Sequence, residues 1–509
     1  MTAFARARPA FGRSVRVDVA AALNLIGALV KYLSLAFLVP IATALVYREP
    51  VWPFLVGALA TAGGGVALER ATRGKERVGT REAFLVVSAT WLFAAFFVSI
   101  PYLLSGDPEL ESPVDAYFEA MSGMTTTGAS VLADIPALNH SMALWRQFSQ
   151  WIGGMGIIVL ALAVLPRLRI GGRQLFATEA PGHELQNITA SIRDTARRLW
   201  VVYVGLTALQ VLVLAVVGWS GLDRQMNLYE AVAHAFTTMP TGGFSTRGRS
   251  IEEFGAATQW TIIVFIVLAG TNFALMYAML RRRANPTRDD EFPLYVALIA
   301  LATALLFAEL LSADAVRAGE EGVRTAMFQT VSLMTTTGYA SADFAVWTGL
   351  ATMILLVLMF VGGSALSTAG SVKVVRHLVV GRVVRRELDQ VVHPEVLNPL
   401  RFNGRVVDER IVRSVGLFVL LYVGLFVLGT LLIELDSART GLELSPFEAA
   451  SAVAATVGNV GPGFGFLGPM GSYDPFSDVS KAVLIVLMWM GRLELVPVLV
   501  LFTRGYWRR

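Results

Sequence analysis

The residues of this chain best placed to do chemistry are hydroxyls and glycines set in apolar surroundings. "MTTTG" stands at residues 124–128 and again at 334–338, and seven of eleven positions agree between 118–128 and 328–338. Two related turns follow other short apolar stretches. The four read "TTTGAS" (125–130), "PTGGFS" (240–245), "TTTGYAS" (335–341) and "NVGPGFG" (459–465). Hydroxyl and carbonyl oxygens with glycine, and little fixed charge, suit a monovalent alkali ion; Zn²⁺ or Cu²⁺ would ask for His or Cys. There is no Cys, and His140, His183, His234, His377 and His393 are scattered without metal-binding spacing. They are expected to be structural or interfacial.

Each turn has the same neighbours. Before it lies a stretch too short to span a membrane: "AYFEAMSGM" (116–124), "LYEAVAHAFTTM" (228–239), "TAMFQTVSLM" (325–334) and "PFEAASAVAAT" (446–456). A full apolar span precedes each of these half helices and another follows each turn. A single Gly-Thr turn would read as helix packing; four in one context point to a common axis. The repeats divide the chain into an N-terminal pair of spans (1–80) and four units at 81–180, 181–285, 286–395 and 396–509. The fold expected is an all-α polytopic membrane protein, four span–half helix–span units in pseudo-fourfold arrangement around one pore.

Composition requires the same class. Of 509 residues 55% are hydrophobic and 16% charged, with mean hydropathy +0.60; soluble proteins carry about a quarter charged residues. Stretches such as 22–46, 84–104, 260–280 and 414–435 reach the roughly 20 residues that cross a hydrocarbon core, and about ten such spans can be read. Residues 1–18 are polar and Arg-rich, without the apolar stretch and cleavage site of a signal peptide. Basic residues cluster at 70–81, 167–173, 281–283 and 373–386 and at both termini, whereas 105–115 holds four acids and no base. The positive-inside rule puts the basic loops and both termini in the cytoplasm. It also accounts for the net charge of +4 without nucleic acid.

Irregular backbone at membrane depth is tolerated where protein buries it or water meets it. Four such segments around an axis can present carbonyl oxygens that replace a cation's hydration shell, the physics of a selectivity filter. The candidate filter residues are Thr126, Thr127, Gly128 and Ala129; Pro240, Thr241, Gly242 and Gly243; Thr336, Thr337, Gly338 and Tyr339; and Asn459, Val460, Gly461 and Pro462. In the fourth turn Gly458 competes with Gly461 for the register. Each half helix aims its partly negative C-terminal end at the pore.

These turns, with "QWIGGMGIIVLALAVLP" (150–166), "GGSALSTAGSVKVVR" (362–376) and "MGRLELVPVLVL" (490–501), resemble the Trk/Ktr/HKT superfamily of potassium transporters, within it the bacterial TrkH type. The resemblance covers nearly the whole chain. It implies a K⁺-translocating pore subunit in the bacterial inner membrane, a homodimer with one pore per protomer, and gating by a cytosolic TrkA-type nucleotide-binding subunit. With glycine at 128, 242, 338 and 461 it implies preference for K⁺, the transported ion and the only metal expected.

Two further elements bear on gating. Gly362, Gly363, Ser364, Ser367, Thr368, Gly370 and Ser371 interrupt a long apolar helix, although Ala365, Leu366 and Ala369 make the stretch less glycine-rich than the family's usual form. The residues alone allow a flexible kink or a loop facing the pore cavity; the resemblance implies an intramembrane gating loop. Arg492 lies inside an apolar run, where insertion costs about 2.5–3.5 kcal/mol. It either snorkels to the interface or faces water, and the resemblance implies a positive barrier under the filter. Glu494, about 200° around a helix, is a poor partner for it.

"GPGFG" (461–465) lacks a surrounding βαβ unit, so nucleotide control by ATP/ADP or NAD has to come through the partner. Symport of K⁺ with H⁺ or Na⁺ is the variant the sequence does not separate from channel-like flux. A polytopic lipid-modifying enzyme would need carboxylates or His gathered at one membrane face, and the acids here are spread along the outer loops. Basic cytoplasmic loops can dock the partner or membrane lipid.

Overall fold

Apolar runs of twenty or more residues have no water to satisfy their backbone in a bilayer, and here they close their hydrogen bonds as helices. The computed structural model describes residues 17–73, 79–164, 188–395 and 399–508. The basic segment at 167–173 and His183 lie outside these.

Helices α1 (Val19–Leu33) and α2 (Leu38–Tyr47), joined by a 3₁₀ turn, form one 29-residue apolar rod, and α3 (Trp52–Ala71) returns beside it. Gly27 and Gly65 let α1 and α3 touch backbone to backbone: an added Cβ on Gly27 would sit 2.8 Å from the Gly65 carbonyl oxygen. Lys31 and Glu69 pair across this contact at 2.6 Å.

The first unit comprises α4 (Thr80–Leu103), the half helix α5 (Pro113–Met124) and α6 (His140–Val164). The second has α7 (Ile188–Trp219), the half helix α8 (Leu228–Thr238), then α9 (Ala256–Ala269) and α10 (Phe273–Leu280). The third has α11 (Glu291–Ser312), the half helix α12 (Glu320–Met334), α13 (Gly349–Val361) and α14 (Val374–Val392). In the fourth, α15 (Glu409–Thr440) and the half helix α16 (Pro446–Val457) precede α17 (Asp478–Arg492) and α18 (Val496–Leu501). A short C-terminal turn, α19 (Arg504–Trp507), ends the described chain.

The half helices run 12, 11, 15 and 12 residues, too short to span at 1.5 Å per residue. Their starts are chemically defined. Ser112, Asn227 and Ser445 cap α5, α8 and α16, the last in a capping box with Glu448.

One expectation fails here. A full span does not follow every turn. Among the described residues, five helices are long and apolar enough to cross a membrane, or six if α9 and α10, bent by 99°, count as one span. The following helix is broken in three units: at 270–272, at 362–373 and at 493–495. Small or polar residues (Gly270, Thr271, Asn272) make the first break. Glu494 and Leu495, both at positive φ, make the last. A small hairpin, β1 (Arg401–Phe402) and β2 (Arg405–Val406), turns at Asn403–Gly404, the Asn-Gly pair favoured for tight hairpins.

Candidate ion-conduction site

The four turns leave their half helices in one way. Thr126 N donates to the Gly123 carbonyl and Thr127 N to the Ser122 carbonyl, and the same i−3, i−5 pattern recurs at Thr241/Gly242, Thr336/Thr337 and Asn459/Val460. Thr126, Thr241, Thr336 and Asn459 all lie at φ between 53° and 61°. Such a left-handed residue costs about 1–2 kcal/mol, held here by burial on every side. Two residues on, Gly128, Gly243, Gly338 and Gly461 have φ of 84°, 79°, 77° and 104°.

These glycines close a ring. A Cβ on Gly128 would collide with the Gly242 carbonyl, on Gly243 with that of Thr337, on Gly338 with that of Val460, and on Gly461 with that of Thr127. Each turn thus sets its glycine against the carbonyl of the residue before the glycine in the next. The cycle returns to its start after four steps. Four backbone oxygens at one level, without a carboxylate among them, surround this closure.

The register differs from the sequence reading in one turn. Gly243, not Gly242, stands level with Gly128. Pro240 therefore matches Thr125 below the turn, and Phe244 takes the outer position of Ala129, Tyr339 and Pro462. Gly242 is a glycine for another reason: its missing side chain is replaced by Gln150, whose Oε1 would meet an added Cβ. Gln150 Nε2 donates to the Gly242 carbonyl at 2.6 Å, and Phe244 N donates to Gln150 Oε1 at 3.2 Å. In the fourth turn Gly461 takes the register, because Gly458 caps α16 at ordinary φ.

Behind the ring, side chains nine residues before each glycine brace the exits of the first three turns. Glu119 accepts from Ser130 Oγ and Val131 N and pairs with the fully buried Arg146 at 2.7 Å. The Arg146 guanidinium also lies 4.1 Å from the centre of the Phe244 ring. His234 Nε2 sits 3.1 Å from Ser245 Oγ, and Gln329 sits 3.4 Å from Ser341 Oγ. In the fourth turn Ser451 Oγ accepts from Phe464 N at 3.0 Å. The Tyr339 hydroxyl reaches Thr237 and the His234 carbonyl, and the Tyr473 hydroxyl donates to the Gly461 carbonyl. A cavity of about 60 Å³ opens on the outer side, lined by Gly128, Gly243, Gly338 and Gly461. Sequence reasoning missed Arg146, Gln150 and Tyr473; an Arg and two Gln inside the otherwise apolar "LWRQFSQW" were the available signal.

On the inner side, the stretch 362–373 crosses directly under the turns. Gly370 N donates to Thr336 Oγ1 at 2.8 Å, and Thr368 Oγ1 donates to the Met239 carbonyl at 2.9 Å. Ser364 N bonds the Gly270 carbonyl, Ser367 Oγ the Ser364 carbonyl, and Ser371 Oγ the Met359 carbonyl. Val374 N donates to the Gly363 carbonyl, and Gly362, at φ 79°, begins the break. Arg492, 3% exposed, ends α17 at this level. Its Nη1 donates to the Thr368 carbonyl at 2.8 Å, while its buried Nε and Nη2 have no partner among the described residues. Glu494 faces elsewhere, pairing with Lys373 at 3.0 Å and with Arg376.

Comparison with known proteins identifies the family. The profile of the TrkH family, described as a cation transport protein, matches residues 54–507. The chain is 35% identical to the Trk system potassium uptake protein TrkH of Escherichia coli, over 95% of this chain and 98% of that one. It is 31% identical to the TrkG protein of the same organism, also named for Trk potassium uptake, over 95% and 98%. The crystal structure of the potassium transporter TrkH from Vibrio parahaemolyticus superimposes with a TM-score of 0.85 at 32% identity, covering 96% of this chain and all of that one. The chain belongs to the TrkH family of cation transport proteins.

Proposed function

We propose that this protein is the K⁺-translocating pore subunit of a Trk-type uptake system in the bacterial inner membrane. The observation that carries the reading is the closed ring of four glycine turns, whose uncharged oxygens suit a dehydrated alkali ion. Thr126–Ala129, Thr241–Phe244, Thr336–Tyr339 and Asn459–Pro462 form the filter, each contributed by one of the four units. K⁺ is the cargo, driven inward by the membrane potential.

The loop from Gly362 to Ser371 is the gate, and Arg492 is the positive barrier that holds it shut. The loop lies one hydrogen bond below Thr336, and Nε and Nη2 of Arg492, without a partner among the described residues, leave its charge free to repel a cation. The basic ends of α3 and α10 and the C-terminal Tyr506, which bonds the Arg81 carbonyl, face the cytoplasm together. The protein acts as a homodimer and is gated there by a nucleotide-binding subunit of the TrkA type. The relatives' names support a multi-component system and K⁺ as the ion.

Uptake of radioactive Rb⁺ into liposomes holding the purified protein tests the reading. Block by K⁺ with little block by Na⁺ is expected. Equal block by both ions would refute the K⁺ filter. If uptake is absent, adding the cytosolic subunit with ATP should restore it.

A further inference from the structure

The inner end of the second unit holds a cationic cavity that the conduction path does not use. Arg197 and Arg198 on α7, Arg281 just after α10, Val201 and Tyr277 line a space of about 420 Å³. The Arg198 and Arg281 guanidiniums each lie 5.7 Å from the centre of the same Tyr277 ring. Among the described residues no acid lines the cavity, and none of the three arginines has a carboxylate partner. Three like charges lining one cavity repel each other unless an anion lies between them.

The surroundings indicate what kind of anion. The apolar span Ala196–Trp219 begins at this level. Beside the cavity Val201 is 61% and Leu280 76% exposed, and Trp200 is also exposed. A basic pocket between helices with an apolar wall and interfacial aromatics fits a phosphate group that carries acyl chains. Arg binds phosphate through paired N–H donors, and stacking on Tyr277 keeps these side chains in place.

The cavity is also tied to the gate. Tyr277 sits midway along α10, which is eight residues or about 12 Å long, and Arg281 just past its far end. At its near end Phe273 N donates to the Leu366 carbonyl, the Gly270 carbonyl accepts from Ser364 N, and the Ala269 carbonyl accepts from Thr368 Oγ1. Displacing α10 therefore pulls on the loop beneath the filter. We infer that Arg197, Arg198 and Arg281 form a binding site for a phosphate-bearing anion, the headgroup of an anionic phospholipid, and that its occupancy biases the 362–373 loop through α10. The second half of this inference rests on the conduction reading; the first does not.

The test uses the full-length protein in mild detergent, titrated with phosphatidylglycerol, with phosphatidylcholine as the zwitterionic comparison and inorganic phosphate as the soluble arm. Native mass spectrometry reads retained lipid; a ligand-induced shift in melting reads phosphate. The variant Arg197→Gln/Arg198→Gln/Arg281→Gln is set against Arg282→Gln/Arg283→Gln/Arg288→Gln, which removes equal charge outside the cavity. At about a factor of five per basic residue, the first variant loses about a hundredfold in phosphatidylglycerol affinity and the second keeps it. A phosphate effect lost in the first variant alone, without lipid retention, makes the occupant soluble and keeps the site. Parent-like binding of both ligands in the first variant, or equal loss in the two variants, overturns it. In liposomes, Rb⁺ flux should depend on phosphatidylglycerol in the parent and not in the first variant. Lipid binding lost without any change in flux would refute the coupling through α10. A parent that binds lipid but conducts in no bilayer counts against the pore reading and leaves the site standing.

Discussion

The adjacent glycines 242 and 243 allow a sharp test, because the structure assigns them different jobs. Gly243 has φ 79°, and an added Cβ would collide with the Thr337 backbone carbonyl. Alanine there combines about 1–2 kcal/mol of left-handed strain with about 1–3 kcal/mol of overpacking. Backbone is the obstacle, so trimming a side chain gives no relief. Gly242 has ordinary φ, and what a Cβ meets is the Gln150 side chain. Gly242→Ala should cost only the overpacking, about 1–3 kcal/mol, and Gln150→Ala should recover much of it. A double-mutant cycle should then show favourable coupling of about 1–3 kcal/mol between 242 and 150 and none between 243 and 150. The assay is the initial rate of Rb⁺ uptake with K⁺ or Na⁺ as competitor, together with thermal stability in detergent. Gly243→Ala is expected to lose discrimination against Na⁺ whatever stands at 150. If Gly243→Ala kept it while Gly242→Ala lost it beyond rescue, the register would be wrong by one residue and the ring argument with it.

Three other outcomes follow from the same contacts. Arg492→Gln should raise flux about tenfold or more, because it removes a charge and a charge-assisted hydrogen bond to Thr368 worth about 1.5–3 kcal/mol; Rb⁺ uptake equal to the parent's would remove Arg492 from the gate. Arg146→Met leaves Glu119 charged and buried, and should cost about 3–5 kcal/mol, read as a lowered melting temperature that adding Glu119→Gln partly restores. At the β1–β2 hairpin, burial alone would raise the Asp290 carboxyl, but the bonds from Arg382 and Asn403 N outweigh it and hold the group below its ordinary 3.8. A lowered folded value means the contact contributes fully above about pH 4 and is lost only as pH falls further. Protease sensitivity of the hairpin should thus be flat between about pH 5 and 8, whereas Asp290→Asn should raise it throughout; a step near neutral pH in the parent would contradict the assignment.

How far the sequence revealed this site depends on what each residue is for. The first and third turns were legible because one backbone shape and one side-chain set serve both, giving "MTTTG" twice. The second was legible as a turn but not in register. Two adjacent glycines look alike in a sequence, yet one answers to its own φ and the other to the side chain of Gln150, 92 residues earlier. The breaks at Thr271 and Glu494 were hidden for a related reason. Apolar residues continue on both sides of them, so hydropathy reads one span where tertiary contacts to the central loop bend two. The fold class was plain throughout, since hydrophobic length alone dictates helices in a bilayer. The brace of Glu119 and Arg146 was hidden because a buried pair needs both partners in space, 27 residues apart.

The three breaks explain each other. Between 362 and 373 the loop holds Leu366, Ser371 and Lys373 at φ of 54°, 59° and 73°, a strain of about 3–6 kcal/mol at 1–2 per residue. Against it stand hydrogen bonds from outside the loop: Gly270 and Phe273 at the break of the second unit, Arg492 at that of the fourth, and Thr336 from the third turn. Thr368 also bonds the Met239 and Ala269 carbonyls, Ser371 the Met359 carbonyl, and Ala365 N the Glu291 carboxylate; at about 0.5–1.5 kcal/mol for each neutral bond and more for the charged ones, these contacts together outweigh the strain. Strained backbone held by bonds from neighbouring broken helices can be released only by moving those helices. The helices that flank it are broken because only a broken helix offers free carbonyls and N–H groups at that depth. A shift of α10 acts on the bonds its Phe273 end makes with the loop, and just past its other end Arg281 lines the cationic cavity, where a ligand can act on it.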